Sequence, residues 1–318
     1  MSDTEASFAM LTILGPTASG KTRLAVALAE KHRGEIISAD SRQVFRGMDI
    51  GSGKDLHEYG LVPYHLIDIL DAGGEFSVFE FQRRFLTAVA DISARQGLPI
   101  LCGGSGLYLD AALRGYRMVE VPQDVALRSK LAELSDLELA EELWRLKPTL
   151  HNSTDLLDRE RTVRAIEIAC GELHNSTANA PRPPERSVVI GIQWEREALR
   201  QRITRRLQER LDNGLIEEVE CLHAGGIAWE RLDYYGLEYR YVGAYLRGTM
   251  NRNDLFQRLN SAIHAFAKKQ GNWFRRMERH GVAINWIDGR EDQCAQAQAI
   301  IKKKIDQNLI YLTLRYRY

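Results

Sequence analysis

The stretch that most constrains this chain is Gly15-Pro16-Thr17-Ala18-Ser19-Gly20-Lys21-Thr22, which fits the phosphate-loop pattern G-x-x-x-x-G-K-[ST]. Its surroundings are those the pattern requires. Met10-Leu11-Thr12-Ile13-Leu14 is an apolar run of strand type, and Leu24, Ala25, Leu28 and Ala29 recur behind the loop at helical spacing. Glycines let backbone N–H groups turn inward around an anion, and the following helix adds the partial positive charge of its N-terminus. Lys21 brings a full charge, and the Thr22 hydroxyl is placed to hold magnesium. The strand–loop–helix order argues against a chance glycine-rich turn and implies a di- or triphosphate ligand.

A chain of 318 residues buries enough surface for one large domain with an elaboration, or for two domains. Its 43 basic and 43 acidic residues cancel, so a nucleic-acid partner has to be met by local basic patches rather than by a global field. Cys102, Cys170, Cys221 and Cys294 are scattered with no C-x-x-C pair, which argues against zinc and disulfides and fits a reducing cytoplasm. No long apolar run or signal-peptide pattern is visible, so no membrane partner is expected.

Beyond the first helix, Glu35-Ile36-Ile37-Ser38-Ala39 reads as a strand that ends on Asp40-Ser41-Arg42-Gln43. Ligands of open parallel sheets sit beyond the carboxyl ends of strands, so Asp40 falls beside the bound phosphates, unless it serves only as a turn or N-cap aspartate. Gly47 to Lys54 is expected as a flexible loop facing the cleft, and His65 to Ile69 as a short strand. Ser77 to Ala94 carries a helical stripe, and Leu98 to Cys102 is a buried strand running into Gly103-Gly104-Ser105-Gly106. Glycines stand there where many phosphate-loop ATPases have a magnesium-organising aspartate. That exchange favours an enzyme gripping an organic acceptor, with the Ser105 hydroxyl directed at it.

From about Val119 the character changes: Val125 to Leu146 is charged and helical, and a second helix is expected from Leu157 to Cys170. A connector from Asn175 to Arg186, with Pro181, Pro183 and Pro184, leads to a strand at Val188 to Ile192. The predicted architecture is α/β, a parallel-sheet core of phosphate-loop NTPase type. The core's first part is expected over 1–118, a helical insertion over 119–186, and a return strand with a helical C-terminal part over 187–318. In Glu197 to Leu211 the arginines Arg202 and Arg206 border the apolar stripe and can reach an anion, whereas Arg205 and Arg210 read as a solvated face. Leu215 to His223 continues as helix. Aromatic and basic residues mix around Tyr234 to Tyr239 and from Ala265 to Arg279, a combination suited to RNA and equally to core packing. Leu309 to Tyr318 has no assignable pattern, and no internal repeat is visible.

Taken together, GPTASGKT (15–22), DSRQ (40–43), MDIGSGK (48–54), HLIDI (65–69) and GGSGLY (103–108) resemble the bacterial tRNA dimethylallyltransferases. The likeness continues through RxxRAIE (161–167), RIxxR (202–206), GLIEEVxxL (214–222) and AKKQxxWFR (267–275), over nearly the whole chain. The zinc finger of the eukaryotic members is missing. The resemblance implies that Gly15, Pro16, Thr17, Ala18, Ser19, Gly20, Lys21, Thr22 and Arg202 bind the diphosphate of dimethylallyl diphosphate rather than ATP, with Mg2+ on Thr22. It implies transfer of the five-carbon group to the exocyclic amine of the adenine 3′ of the anticodon. Asp40 would be the proton acceptor, and Ser105, at a position where the family usually has threonine, would hold the amine. The target base must leave its stack. Asp40, Ser41, Arg42, Gln43, Ser105, Arg128, Arg161 and Arg164 are implied as contacts to the tRNA anticodon stem-loop, and the protein is expected to act as a monomer.

This chain departs from the family at Ile263-His264-Ala265 and at Gly236-Leu237-Glu238-Tyr239. Two other classes share part of the pattern. A small-molecule kinase of shikimate-kinase type has the loop, the acid and the glycine cluster, but it leaves the arginine-rich helical half unexplained. A non-catalytic, nucleotide-dependent RNA-binding protein explains the basic helices but not a carboxylate and a hydroxyl beside the phosphate loop.

Overall fold

Every residue of Met10–Leu14 (β1) is buried, because β1 lies inside a parallel sheet with neighbours on both sides. The computed structural model describes residues 9–116, 118, 120–148, 158–174 and 187–315. After β1 come Lys21–His32 (α1), Gly34–Ala39 (β2), Phe45–Arg46 (β3), Tyr64–His65 (β4), Leu70–Asp71 (β5), Val78–Ala94 (α2), Leu98–Gly103 (β6) and Gly106–Arg114 (α3). Val125–Ala132 (α4), Asp136–Leu146 (α5) and Arg159–His174 (α6) follow. The chain then gives Ser187–Gln193 (β7), Arg196–Asp212 (α7), Leu215–Ala224 (α8), Trp229–Tyr234 (α9), Leu237–Leu246 (α10), Arg252–Arg279 (α11), Ile284–Asp288 (β8) and Gln293–Arg315 (α12).

The main sheet has the order β4-β2-β6-β1-β7-β8 with every pair parallel, and β3 and β5 form a separate parallel pair. Strand side chains alternate between its faces, as a period of two requires. Leu11, Ile13, Ile36, Ile100 and Ile190 pack with α1 and with Ala297 and Ile301 of α12. Met10, Leu14, Ile37, Leu101 and Val189 pack on the other side with side chains of α2, α7, α10 and α11. A buried stripe of Leu255, Leu259, Ile263, Ala267, Gln270, Phe274 and Met277 at spacings of three and four holds the long α11 in that layer.

The chain divides into two compact units, one made of Met1–Arg114 with Pro183–Tyr318, the other of Gly115–Arg182. The smaller unit has its own core of Leu131, Leu139, Leu143 and Ile166. Its first helical stretch, expected as one helix over 125–146, is broken before Ser135. That residue caps α5 by exchanging hydrogen bonds with Glu138, which starts a new helix there. The connector expected at Asn175 to Arg186 and Leu157 lie outside the described residues.

One expectation needs correction, and two elements carried none. His65 to Ile69 is not a strand: pairing stops at His65, and Leu66 (φ 62°) and Asp68 (φ 54°) turn left-handed before β5 begins. Strand β8, which closes the sheet beside β7, carried no sequence expectation. The region from Leu309 lacked a readable pattern, yet α12 runs on to Arg315.

Candidate active site

The carboxyl ends of β1, β2 and β6 open into a cleft of about 1030 Å³ lined by the phosphate loop, Asp40 to Gln43, Asp49 to Glu58, Ser105 and the arginines of α7. The loop is tightly built. Ala18 (φ 61°) and Gly20 (φ 90°) take left-handed backbone angles, so that α1 starts at Lys21. A Cβ at Gly15 would lie 2.6 Å from Ser19 Oγ. That hydroxyl is fully buried and has no hydrogen-bond partner among the described residues.

Four residues that follow β7 in the chain brace the loop. The Ser19 carbonyl accepts from Trp194 Nε1 (3.0 Å) and Gln293 Nε2 (3.3 Å), and the Ala18 carbonyl from Arg202 Nε (2.8 Å). Gln270 accepts from the Thr17 N–H (2.9 Å) and donates to the Gly104 carbonyl (3.0 Å), tying the phosphate loop to the β6–α3 turn. Of these only Arg202 was an expected site residue. Gln270 sits in the AKKQ run that had been read for RNA contact or core, and the glutamine spaced into the apolar stripe of α11 was the available signal.

Lys21 is deeply placed, with Nζ 3.5 Å from the Pro16 carbonyl. Burial lowers its pKa, Arg206 and Arg210 push the same way, and Asp40 opposes them. A diphosphate in the loop would favour the ammonium form. Arg202 lies with its guanidinium 4.2 Å from the Trp194 ring centroid, held in place for an anion at the loop. Arg206 pairs with Asp55, as the apolar-border reading of that residue allows. Arg210 corrects the expectation of a solvated face: its side chain is only 13% exposed, it lines the cleft, and it stands 3.6 Å from half-buried Glu238. Burial raises the Glu238 pKa, Arg210 lowers it, and the first effect is larger. No sequence period marked this pairing, because α7 shows arginines at both its wet and its cleft-facing positions.

The loop expected to be flexible is also corrected. Lys54 is buried and donates to the Phe45 carbonyl (2.7 Å), Asp49 (2.5 Å) and Asp68, while Glu218 of α8 receives the N–H groups of Asp49, Ile50 and Gly51.

Asp40 and Ser105 both line the cleft. Asp40 Oδ1 accepts the Arg42 N–H (2.9 Å), a local turn, and Oδ2 has no hydrogen bond among the described residues. Ser105 Oγ accepts the Ser41 N–H at 3.4 Å. Both amide ends of Gln43 are occupied, by Ser38 Oγ (2.8 Å) and the Gly53 carbonyl (3.1 Å). Arg42 bonds the Tyr234 carbonyl (3.0 Å) and lies 5.2 Å from the Tyr234 ring centroid. Thr22 lies on the cleft. No group of three His, Cys, Asp or Glu residues able to hold a metal occurs among the described residues. Thr22 is the cleft residue whose hydroxyl would hold a magnesium ion, an oxygen donor of the kind this ion takes.

In the smaller unit, Arg128 and Arg164 both engage Glu167, at 2.8 and 3.0 Å. Burial pushes the Glu167 pKa up, but the bonds from Arg128, the Asp124 N–H and Arg164 outweigh it and bring it down to about 2. Arg161 is exposed.

A family model described as IPP transferase matches residues 43–277. A tRNA dimethylallyltransferase 2 from Trichlorobacter lovleyi is 65% identical over 292 residues, covering 92% of this chain and 96% of its own. A tRNA dimethylallyltransferase 1 from Geotalea uraniireducens is 59% identical over 293 residues, 92% of this chain and 97% of its own. The crystal structure of a full-length tRNA isopentenylpyrophosphate transferase from Bacillus halodurans superposes with a TM-score of 0.70 at 30% identity, over 96% of this chain and 99% of that one. A eukaryotic dimethylallyltransferase acting on tRNA shares the fold (TM-score 0.73, 22% identity, 92% of this chain and 77% of that one). The chain belongs to the IPP transferase family, among the tRNA dimethylallyltransferases.

Proposed function

We propose that this protein transfers the dimethylallyl group of dimethylallyl diphosphate to N6 of the adenine 3′-adjacent to the anticodon of a tRNA, giving isopentenyladenosine. The observation that carries this reading is the meeting of two chemistries in one cleft. Lys21 and the arginines of α7 line it with positive charge, and Asp40 and Ser105 stand at the ends of neighbouring strands.

In the reaction the bond between the allylic carbon and the diphosphate oxygen breaks, and the electron pair leaves with the diphosphate. Lys21, Arg202 and the loop N–H groups neutralise the charge as it grows, which lowers the barrier because this interaction is stronger in the transition state. A bond forms from N6 to the allylic carbon, and the N6 proton passes to the Asp40 carboxylate. The Ser105 hydroxyl orients the amine. Magnesium held by Thr22 would supply further charge neutralisation on the leaving group.

The tRNA partner engages through its anticodon stem-loop, and Arg161 is the exposed arginine suited to a backbone phosphate. Four free thiols suit a cytoplasmic protein, and a monomer is sufficient, since the cleft is built by one chain. Among the described residues no helix is long and apolar enough to cross a membrane.

The test is incubation with bulk tRNA and either dimethylallyl diphosphate or ATP, followed by mass spectrometry of the nucleosides. Isopentenyladenosine should appear with the first donor only. Phosphate transfer from ATP without prenylation would replace this reading with a kinase.

A further inference from the structure

The segment from Met48 to Asp55 forms one wall of the cleft, yet it belongs to no helix or strand, so something outside it must set its shape. Two anchors do so. At its far end, buried Lys54 is tied to Asp49, Asp68 and the Phe45 carbonyl. At its near end, both carboxylate oxygens of Glu218 are turned on the backbone. Oε2 accepts the N–H groups of Asp49 (2.8 Å) and Ile50 (2.6 Å), and Oε1 accepts that of Gly51 (3.0 Å) together with the Tyr239 hydroxyl (3.0 Å). Three successive backbone donors on one carboxylate make a concave anion seat occupied by the protein's own side chain.

The wall so fixed shapes the cations opposite it. A Cβ on Gly51 would lie 2.6 Å from the Tyr239 ring, and one on Gly53 would overlap the guanidinium of Arg210 and lie 2.9 Å from that of Arg206. Asp55, next along, pairs with Arg206. Arg206 and Arg210 line the same cleft as Lys21 and the rest of the phosphate loop, and both push the Lys21 pKa down.

We infer that Glu218 is a positioning residue for the transfer reaction: it locks the 48–55 wall and thereby aims Arg206 and Arg210 at the departing diphosphate. It is not among the cleft-lining residues and acts through backbone it holds. The inference rests on the proposed prenyl transfer for its kinetic consequence, and on the hydrogen bonds alone for its structural one.

The full chain carrying Glu218→Gln is the decisive variant. Glutamine keeps the shape, but its amide N–H2 faces backbone N–H groups that need an acceptor. Deuterium exchange at the amides of 49–51 should quicken by about tenfold or more as those hydrogen bonds weaken. The kcat for prenylation should fall about tenfold to a hundredfold, the scale of a small misplacement of charged groups, while the KM for tRNA stays within about twofold. Binding of inorganic diphosphate, followed by calorimetry, should weaken severalfold, and Glu218→Asp should recover part of both effects. Unchanged exchange at 49–51 overturns the inference, as does faster exchange with wild-type kcat and diphosphate affinity, or a loss of activity that merely tracks a lower Tm. If the wild-type protein makes no isopentenyladenosine, the functional reading fails, and exchange with diphosphate affinity still decides the role of Glu218.

Discussion

Asp40 illustrates how one side chain serves a turn and a reaction together. Its Oδ1 is engaged by the Arg42 N–H, which fixes the carboxylate, and its Oδ2 is left for a proton. Asp40→Asn keeps the turn acceptor and removes the base. It should lower kcat by about 10²–10⁴ and leave the KM for dimethylallyl diphosphate nearly unchanged. Near-normal turnover in single-turnover experiments would make Asp40 a turn residue only. Arg202 is fixed differently, by the Ala18 carbonyl at Nε and by the Trp194 ring, whose centroid is 4.2 Å from its guanidinium. Arg202→Ala should cut the rate with dimethylallyl diphosphate and leave the salt dependence of tRNA binding alone. Lysine should rescue it poorly, because an ammonium cannot both bond the carbonyl at this angle and lie flat on indole. A flattened salt slope in Arg202→Ala would place this helix on the RNA instead.

At the scale of elements, the three arginines taken from the helical insertion divide. Arg161→Ala should reduce the salt slope of tRNA binding by about one with no change in Tm, as a lost phosphate contact does. Arg128→Ala and Arg164→Ala should also lower the stability of the 115–182 unit, since both bond the buried Glu167 carboxylate. Because the Glu167 pKa is held near 2 in the folded state, its contribution is complete above the ordinary value of 4.5 and is lost as pH falls toward 2. Glu167→Ala should cost about 3 kcal/mol at neutral pH and remove that acid dependence, which Trp144, the one tryptophan between 115 and 182, reports by fluorescence. The sequence made the strand–loop–helix unit and the strands at 35–39, 98–102 and 188–192 readable because local periodicity decides them. It did not reveal that Lys54 is buried, that Arg210 faces the cleft, or that Glu218 caps a loop 167 residues away from it. Each of those is a long-range pairing of polar groups, and polar side chains leave no periodic trace from which partner or depth can be read.

For the whole molecule, the order in which the chain is made matters to the site. The phosphate loop leaves a ribosome before Trp194, Arg202, Gln270 and Gln293, which hold its carbonyls and the Thr17 N–H. The strand beside β1 on one side, β7, also comes from that late segment. A released fragment of residues 1–118 should therefore show no measurable affinity for inorganic diphosphate, whereas the full chain binds it. Tight binding by the fragment would mean that the loop shapes itself. Gln270 spans the two turns only once α11 has docked, so a half-made chain should not capture an allylic diphosphate and hold it with no acceptor to receive the carbon.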